Sequence, residues 1–169
     1  MSKLHKLQVC EQTGAYTLES PSTVLSEDDI FKIANQIVER RMRKGQPMSS
    51  PRMLMEYLKV ELQESPIEQF GVIYGDVRNR IITKEILFTG TIDAAAVYPR
   101  EIVRRVIELG ASSVWLYHCH PSGMPEPSQN DRAITRKIRD ALSPIDVRLL
   151  DHIVVGYEGS VSFAERGML

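Results

Sequence analysis

Cysteine is nearly absent from this chain, which holds two, Cys10 and Cys119, in 169 residues. Two cannot make a disulfide framework, and neither sits in a Cys-x-x-Cys pair, which argues against a cysteine-based zinc site and a thioredoxin-type redox site. A reducing cytoplasm is the simplest setting for them. Also missing is any apolar run near the roughly 20 residues needed to cross a bilayer, so no membrane partner is expected. The opening residues, MSKLHKLQVCEQTGAY, carry charges but no long apolar stretch, so no secretory signal is predicted. A net charge of −1 excludes a global field that would draw the chain to nucleic acid or an anionic membrane, and leaves only local patches. No internal repeat or low-complexity segment is present. Histidine is scarce as well, but two of the four fall within one tripeptide, His118 to His120.

What is there fits a globular domain: 43% hydrophobic and 25% charged residues, in a length able to bury a substantial core. Residues 1–25 are polar and mixed and read as a tail or a hairpin. Ser26 followed by Asp29 looks like a helix cap, and Ile30, Ile33, Ala34, Ile37 and Val38 keep a helical period until Gly45 and Pro47. Pro51 opens a second helix with Leu54, Tyr57 and Leu58 on one face, so 26–64 reads as an N-terminal helical segment. The basic cluster Arg40, Arg41, Arg43, Lys44 and Arg52 reads as a solvated helix end, with phosphate contact as the other reading.

At Ser65-Pro66 the texture changes, and 65–169 reads as the main domain. Phe70 to Tyr74 and Arg80 to Phe88 are predicted strands, joined through Asp76-Val77-Arg78-Asn79. Pro99 opens a helix with Ile102, Val103, Val106 and Ile107 on its apolar side, and Gly110 closes it. Ser113 to His120 is a strand, Asp131 to Leu142 a helix, Val147 to Val155 a strand, and Val161 to Phe163 a last short one. The fold class is therefore α/β or α+β: a mixed sheet with helices packed on it.

The stretch HCHPSGMPEPSQND, His118 to Asp131, carries the chemistry. Strand alternation puts His118 and His120 on one face, about 6 to 7 Å apart along the strand, close enough to reach one ion. Pro121, Ser122 and Gly123 end the strand at once, so the pair stands at its C-terminal rim, where sites of α/β architectures lie. A catalytic zinc usually takes three protein ligands, and Asp131, after ten residues of Pro- and Gly-rich loop, is the natural third. Ser128 precedes it as the cap of the same helix, with a hydroxyl able to stabilise an oxyanion. Ser128-x-x-Asp131 also reads as a capping box on its own, and local reading leaves both possibilities open.

His-x-His, seven residues, Ser, two residues, Asp resembles the signature of JAMM (JAB/MPN-type) metalloprotease domains. The segments FTGTIDAAAVYPREIVRRVIELGASSVW, HCHPSGMPEPSQNDRAITRKI and LLDHIVVG…SVSFAERGML are similar to the RadC-like branch, from about Ser50 to the end. Full-length RadC proteins carry a helix-hairpin-helix-like region that the first 49 residues are too short to supply, so a compact form is expected. The resemblance implies a cytidine-deaminase-like JAB/MPN fold and one zinc per chain on His118, His120 and Asp131. It also implies a glutamate base in a Glu-x-x-Gly context, which is Glu68 in EQFGVIYG, with Glu85 as competitor. Asp151 and His152, in LLDHIVV, also match the family text, and they read either as partners behind a zinc-bound imidazole or as a strand pair satisfied elsewhere. One departure stands out: Cys119 occupies a position where RadC-like proteins commonly carry Asn, and alternation turns it away from the histidines.

The resemblance thus implies a zinc-dependent hydrolase of a peptide or isopeptide bond, with a peptide or protein as partner. A rival reading is a DNA-repair-associated accessory protein with a structural or vestigial metal, its only sequence support being the basic cluster. Nucleobase deamination wants His-x-Glu and Pro-Cys-x-x-Cys, and neither is present. A Ser-His-Asp hydrolase on Ser122 or Ser128 lacks a nucleophile-elbow context and leaves one histidine idle.

Overall fold

Seven consecutive residues from Ser113 to Cys119 are all buried, the signature of a strand covered on both faces, and the architecture is built around it. The computed structural model describes residues 2–10, 12–13, 15–43, 51–63, 65–90 and 97–169, with backbone alone for 2–4 and 38–43. The chain divides into two units, Met1–Lys44 and Gly45–Leu169.

In the first unit β1 (Ser2–Leu4), β2 (Leu7–Val9) and β3 (Tyr16–Leu18) form an antiparallel sheet in that order, and α1 spans Glu27–Arg43. Ser26 and Asp29 bond reciprocally across the first turn of α1, as a capping pair should. Asp29 also receives Lys6 Nζ at 2.7 Å and faces His5 Nε2 at 2.6 Å, which ties the hairpin of β1 and β2 to the helix. Gly45 and Pro47, read as helix stops, lie outside the described residues.

The second unit holds α2 (Pro51–Leu62) and a five-stranded sheet in the order β5 (Ile81–Thr89), β4 (Gln69–Gly75), β6 (Ser113–Cys119), β7 (Arg148–Gly156), β8 (Gly159–Ser162). Only the β6–β7 pair is parallel, so the sheet is mixed. α2 buries Leu54, Tyr57, Leu58 and Leu62 and contacts β7 and β8. On the other face α3 (Pro99–Leu109) and α4 (Gln129–Leu142) enclose the main core. There Ile102, Val106, Ile134, Ile138 and Leu142 meet Phe70, Val72, Tyr74, Val114 and Leu116. Ile107, read as part of the apolar side of α3, is exposed, because the buried ridge follows the four-residue step from Ile102 to Val106. The β4–β5 turn runs through Asp76, whose Oδ1 accepts the N–H groups of Arg78 and Arg80, with Asn79 at φ 58°.

Candidate metal centre

Three elements deliver the side chains of the His-rich stretch to one point. His118 is the penultimate residue of β6, and His120 follows one residue past its end, where its backbone N–H still donates to Val155 O at 2.8 Å on β7. The two rings tilt toward each other, with centroids 4.7 Å apart, so their Nε2 atoms stand only 2.9 Å apart. Asp131, buried in the first turn of α4, brings Oδ1 to 3.2 Å from His118 Nε2 and Oδ2 to 3.6 Å from His120 Nε2.

Asp131 also closes the capping box of α4. Its Oδ2 accepts the Ser128 N–H at 2.7 Å and the Ser128 hydroxyl at 2.6 Å, while the Asp131 N–H donates to Ser128 Oγ at 3.1 Å. The capping reading of Ser128-x-x-Asp131 is therefore met, and the carboxylate keeps lone pairs enough to serve a cation as well. The Ser128 hydroxyl proton is committed to Asp131, and an oxyanion would have to draw it away.

Glu68 arrives from a different part of the chain. It directly precedes β4, which runs antiparallel to β6 with Gln69 opposite Cys119, so the start of one strand lies beside the end of the other. One carboxylate oxygen of Glu68 and a ring nitrogen from each of His118 and His120 lie within 4.8 Å of one another. Glu85 is elsewhere, held by the Arg105 guanidinium through bonds of 2.8 and 2.5 Å. A cavity of about 220 Å³ opens beside Glu68, lined by Pro66, Ile67, Gly90 and Pro121.

The electrostatics follow from this crowding. Burial works to raise the Asp131 pKa but is outweighed by His118, His120 and Ser128, which hold the carboxyl well below its usual range. The Asp131 carboxylate in turn raises His120, with burial opposing and the Met124 carbonyl assisting. His120 Nδ1 faces that carbonyl at 2.9 Å and must donate to it, so in the neutral ring Nε2 is left with a lone pair facing His118 and Asp131. Two imidazole nitrogens and a carboxylate converging with lone pairs inward are a donor set that asks for a cation, and their chemistry fits a divalent metal ion such as zinc. Glu68 is near enough to belong to the set or to act beside it.

His152, on β7, is fully buried behind His118, its Nε2 2.9 Å from His118 Nδ1. Asp151 points away from the histidine pair. Its carboxylate takes the N–H groups of His152 and Ala164 and the Ser162 hydroxyl, and burial raises its pKa against those bonds. Cys119 also points away, Sγ at 3.5 Å from Ile67 O, its thiol pKa raised by burial. Thr135, one turn beyond Asp131, was not legible as a site residue, though its four-residue spacing from Asp131 on a helix was a usable signal. Of the basic cluster, the side chains of Arg40, Arg41, Arg43 and Lys44 lie outside the described residues, and Arg52 pairs with Glu56 at 3.4 Å. Among the described residues no helix is long and apolar enough to cross a membrane.

Comparison with known proteins matches residues 48–168 to the RadC-like JAB domain. A UPF0758 protein of Stutzerimonas stutzeri is 39% identical over 94% of this chain and 71% of its own length. One of Tolumonas auensis is 42% identical over 96% of this chain and 70% of its own. A third, from Vibrio vulnificus, is 44% identical over 83% of this chain and 62% of its own. These names state no activity.

Proposed function

The chain belongs to the RadC-like JAB domain family, and on that premise we propose that it is a zinc-dependent hydrolase of peptide or isopeptide bonds. The observation that carries the reading is the convergence of His118 Nε2, His120 Nε2 and the Asp131 carboxylate, with Glu68 alongside. His118, His120 and Asp131 would hold the ion. When bound, zinc supplies a Lewis acid and lowers the pKa of a water to about 7.

The rest falls to the chain itself. Glu68 lies beside the two histidines and is the group placed to accept the proton of an attacking water and pass it to the leaving amine. The cavity flanked by Ile67, Gly90 and Pro121 adjoins that carboxylate and offers room for a small part of the scissile segment. Ser128 can turn its hydroxyl from Asp131 toward developing negative charge, a contact worth on the order of 3 kcal/mol when made. The Cys119 thiol lies between two candidate metal-ligating histidines, which suits a reducing cytoplasm.

The test is metal analysis of natively purified protein combined with cleavage of a peptide library. Wild type should carry zinc and cleave in a chelator-sensitive way. Glu68→Gln should keep the zinc and lose about 100- to 10,000-fold in turnover, the span of a general base. His118→Ala should lose the metal. Native protein that neither carries nor accepts zinc would end this reading.

A further inference from the structure

Behind the candidate ligands lies a chain of buried polar groups that leads from one of them back to another. His118 Nδ1 is 2.9 Å from His152 Nε2, His152 Nδ1 is 2.6 Å from Thr135 Oγ1, and Thr135 Oγ1 is 2.5 Å from the backbone carbonyl of Asp131. All of these residues are buried, and His152 is wedged between Phe70, edge-on at 5.6 Å, and Phe163, stacked at 4.7 Å.

The direction of each bond can be deduced from the number of protons available. Two oxygens at 2.5 Å require a proton between them, and a carbonyl has none, so the single Thr135 hydroxyl proton goes to Asp131 O. Thr135 Oγ1 then has only lone pairs left for His152, and His152 Nδ1 must be the donor. A fully buried neutral ring protonated at Nδ1 presents a lone pair at Nε2, so His118 Nδ1 must donate to it. That direction is the same whether His118 Nε2 carries a proton or faces a cation. The outcome is an imidazole whose Nε2 is turned toward Asp131 and His120 and whose ring cannot rotate without breaking the chain of bonds.

We infer that Thr135 and His152 are positioning residues that fix the Nδ1–H form and the orientation of His118 and, through the Asp131 carbonyl, lock β6 to the first turn of α4. The inference rests on the metal-hydrolase reading for its purpose, though not for its geometry. Asp151 supports it from behind, since its carboxylate holds the backbone N–H of His152 at 2.7 Å and so fixes where the ring starts. Partners of this kind behind a metal ligand set ring orientation and basicity.

Two measurements decide it. Nitrogen-15 shifts of the histidine rings in chelator-treated wild-type protein should show His152 as the Nδ1–H form. Zinc affinity, read by competition with a chromophoric chelator, should fall about 10- to 100-fold in Thr135→Val and stay within about threefold of wild type in Thr135→Ser. In Thr135→Val the His152 signals should also depart from the pure Nδ1–H pattern, and Thr135→Ser should restore them. An Nε2–H form of His152 in wild type overturns the inference, and so does zinc affinity unchanged in Thr135→Val. Should Thr135→Val not fold, the wild-type ring shifts decide alone. Wild type that takes up no zinc refutes the hydrolase reading instead, and the ring shifts still decide the relay.

Discussion

The Asp131 carboxylate faces His118 Nε2 at 3.2 Å with one oxygen and takes the backbone N–H of Ser128 with the other. Stabilising the helix start and presenting a candidate ligand are therefore one act. A carboxylate near a helix N-terminus is favoured by the dipole, so the fold itself keeps this acid ionised where a cation would use it.

Asp131→Asn and Ser128→Ala separate the two roles. An amide oxygen can still cap, so Asp131→Asn should cost little stability in chelator yet lower zinc affinity by more than the roughly 10- to 100-fold lost with an outer partner. Ser128→Ala should cost about 1 kcal/mol in a denaturant titration while retaining zinc. Equal zinc loss in both variants would contradict the division.

Cys119 lies between the two histidines in sequence but 2% exposed and turned toward Ile67. Its raised pKa and burial predict a thiol that a disulfide reagent reaches only as the protein unfolds. Cys119→Ala should leave zinc affinity within about threefold of wild type, since the group is not a ligand. Rapid labelling of the native protein would show the opposite.

Gly156 and Gly71 offer a matched pair. A Cβ on Gly156 would sit 2.2 Å from the Gly123 carbonyl oxygen, in the turn that follows His120. One on Gly71 would sit 2.2 Å from the Tyr117 ring on the face away from His118. Both alanine variants should lose about 1–3 kcal/mol by overpacking, read from urea midpoints. Only Gly156→Ala should also weaken zinc binding, because relieving its clash moves His120.

Asp29 sets a pH limit for the first unit. Lys6 foremost, then Ser26 and His5, hold its carboxyl well below the usual range. A folded value below the unfolded one of about 3.9 means the contribution is complete above that pH and is lost as pH falls through it toward the folded value. Protection factors of the α1 amides, corrected for the intrinsic pH dependence of exchange, should fall on acidification, and Asp29→Asn should show lower protection at pH 7 with a flatter acid dependence.

How much of this was legible in the sequence depends on distance along the chain. The shared face of His118 and His120 follows from alternation alone, and Asp131 follows from a cap signal ten residues later. Glu68 does not, because its place is set by the pairing of Gln69 with Cys119, which no local pattern announces; only the family resemblance pointed to it. His152 and Thr135 meet across β7 and α4, and their contact is a product of packing. Alternation also gave the spacing of the histidines along the strand but not the tilt that brings their nitrogens to 2.9 Å.

The antiparallel pairing of β4 with β6 has a temporal side. Glu68 is made about fifty residues before the histidines and Asp131 later still, and the intervening chain must close a long loop before the two strands meet. A nascent chain that has emerged only as far as β5 carries the acid with nothing to act beside. The candidate ligand set is complete only once α4 brings Asp131 against β6, so the site forms with the tertiary fold and not before it.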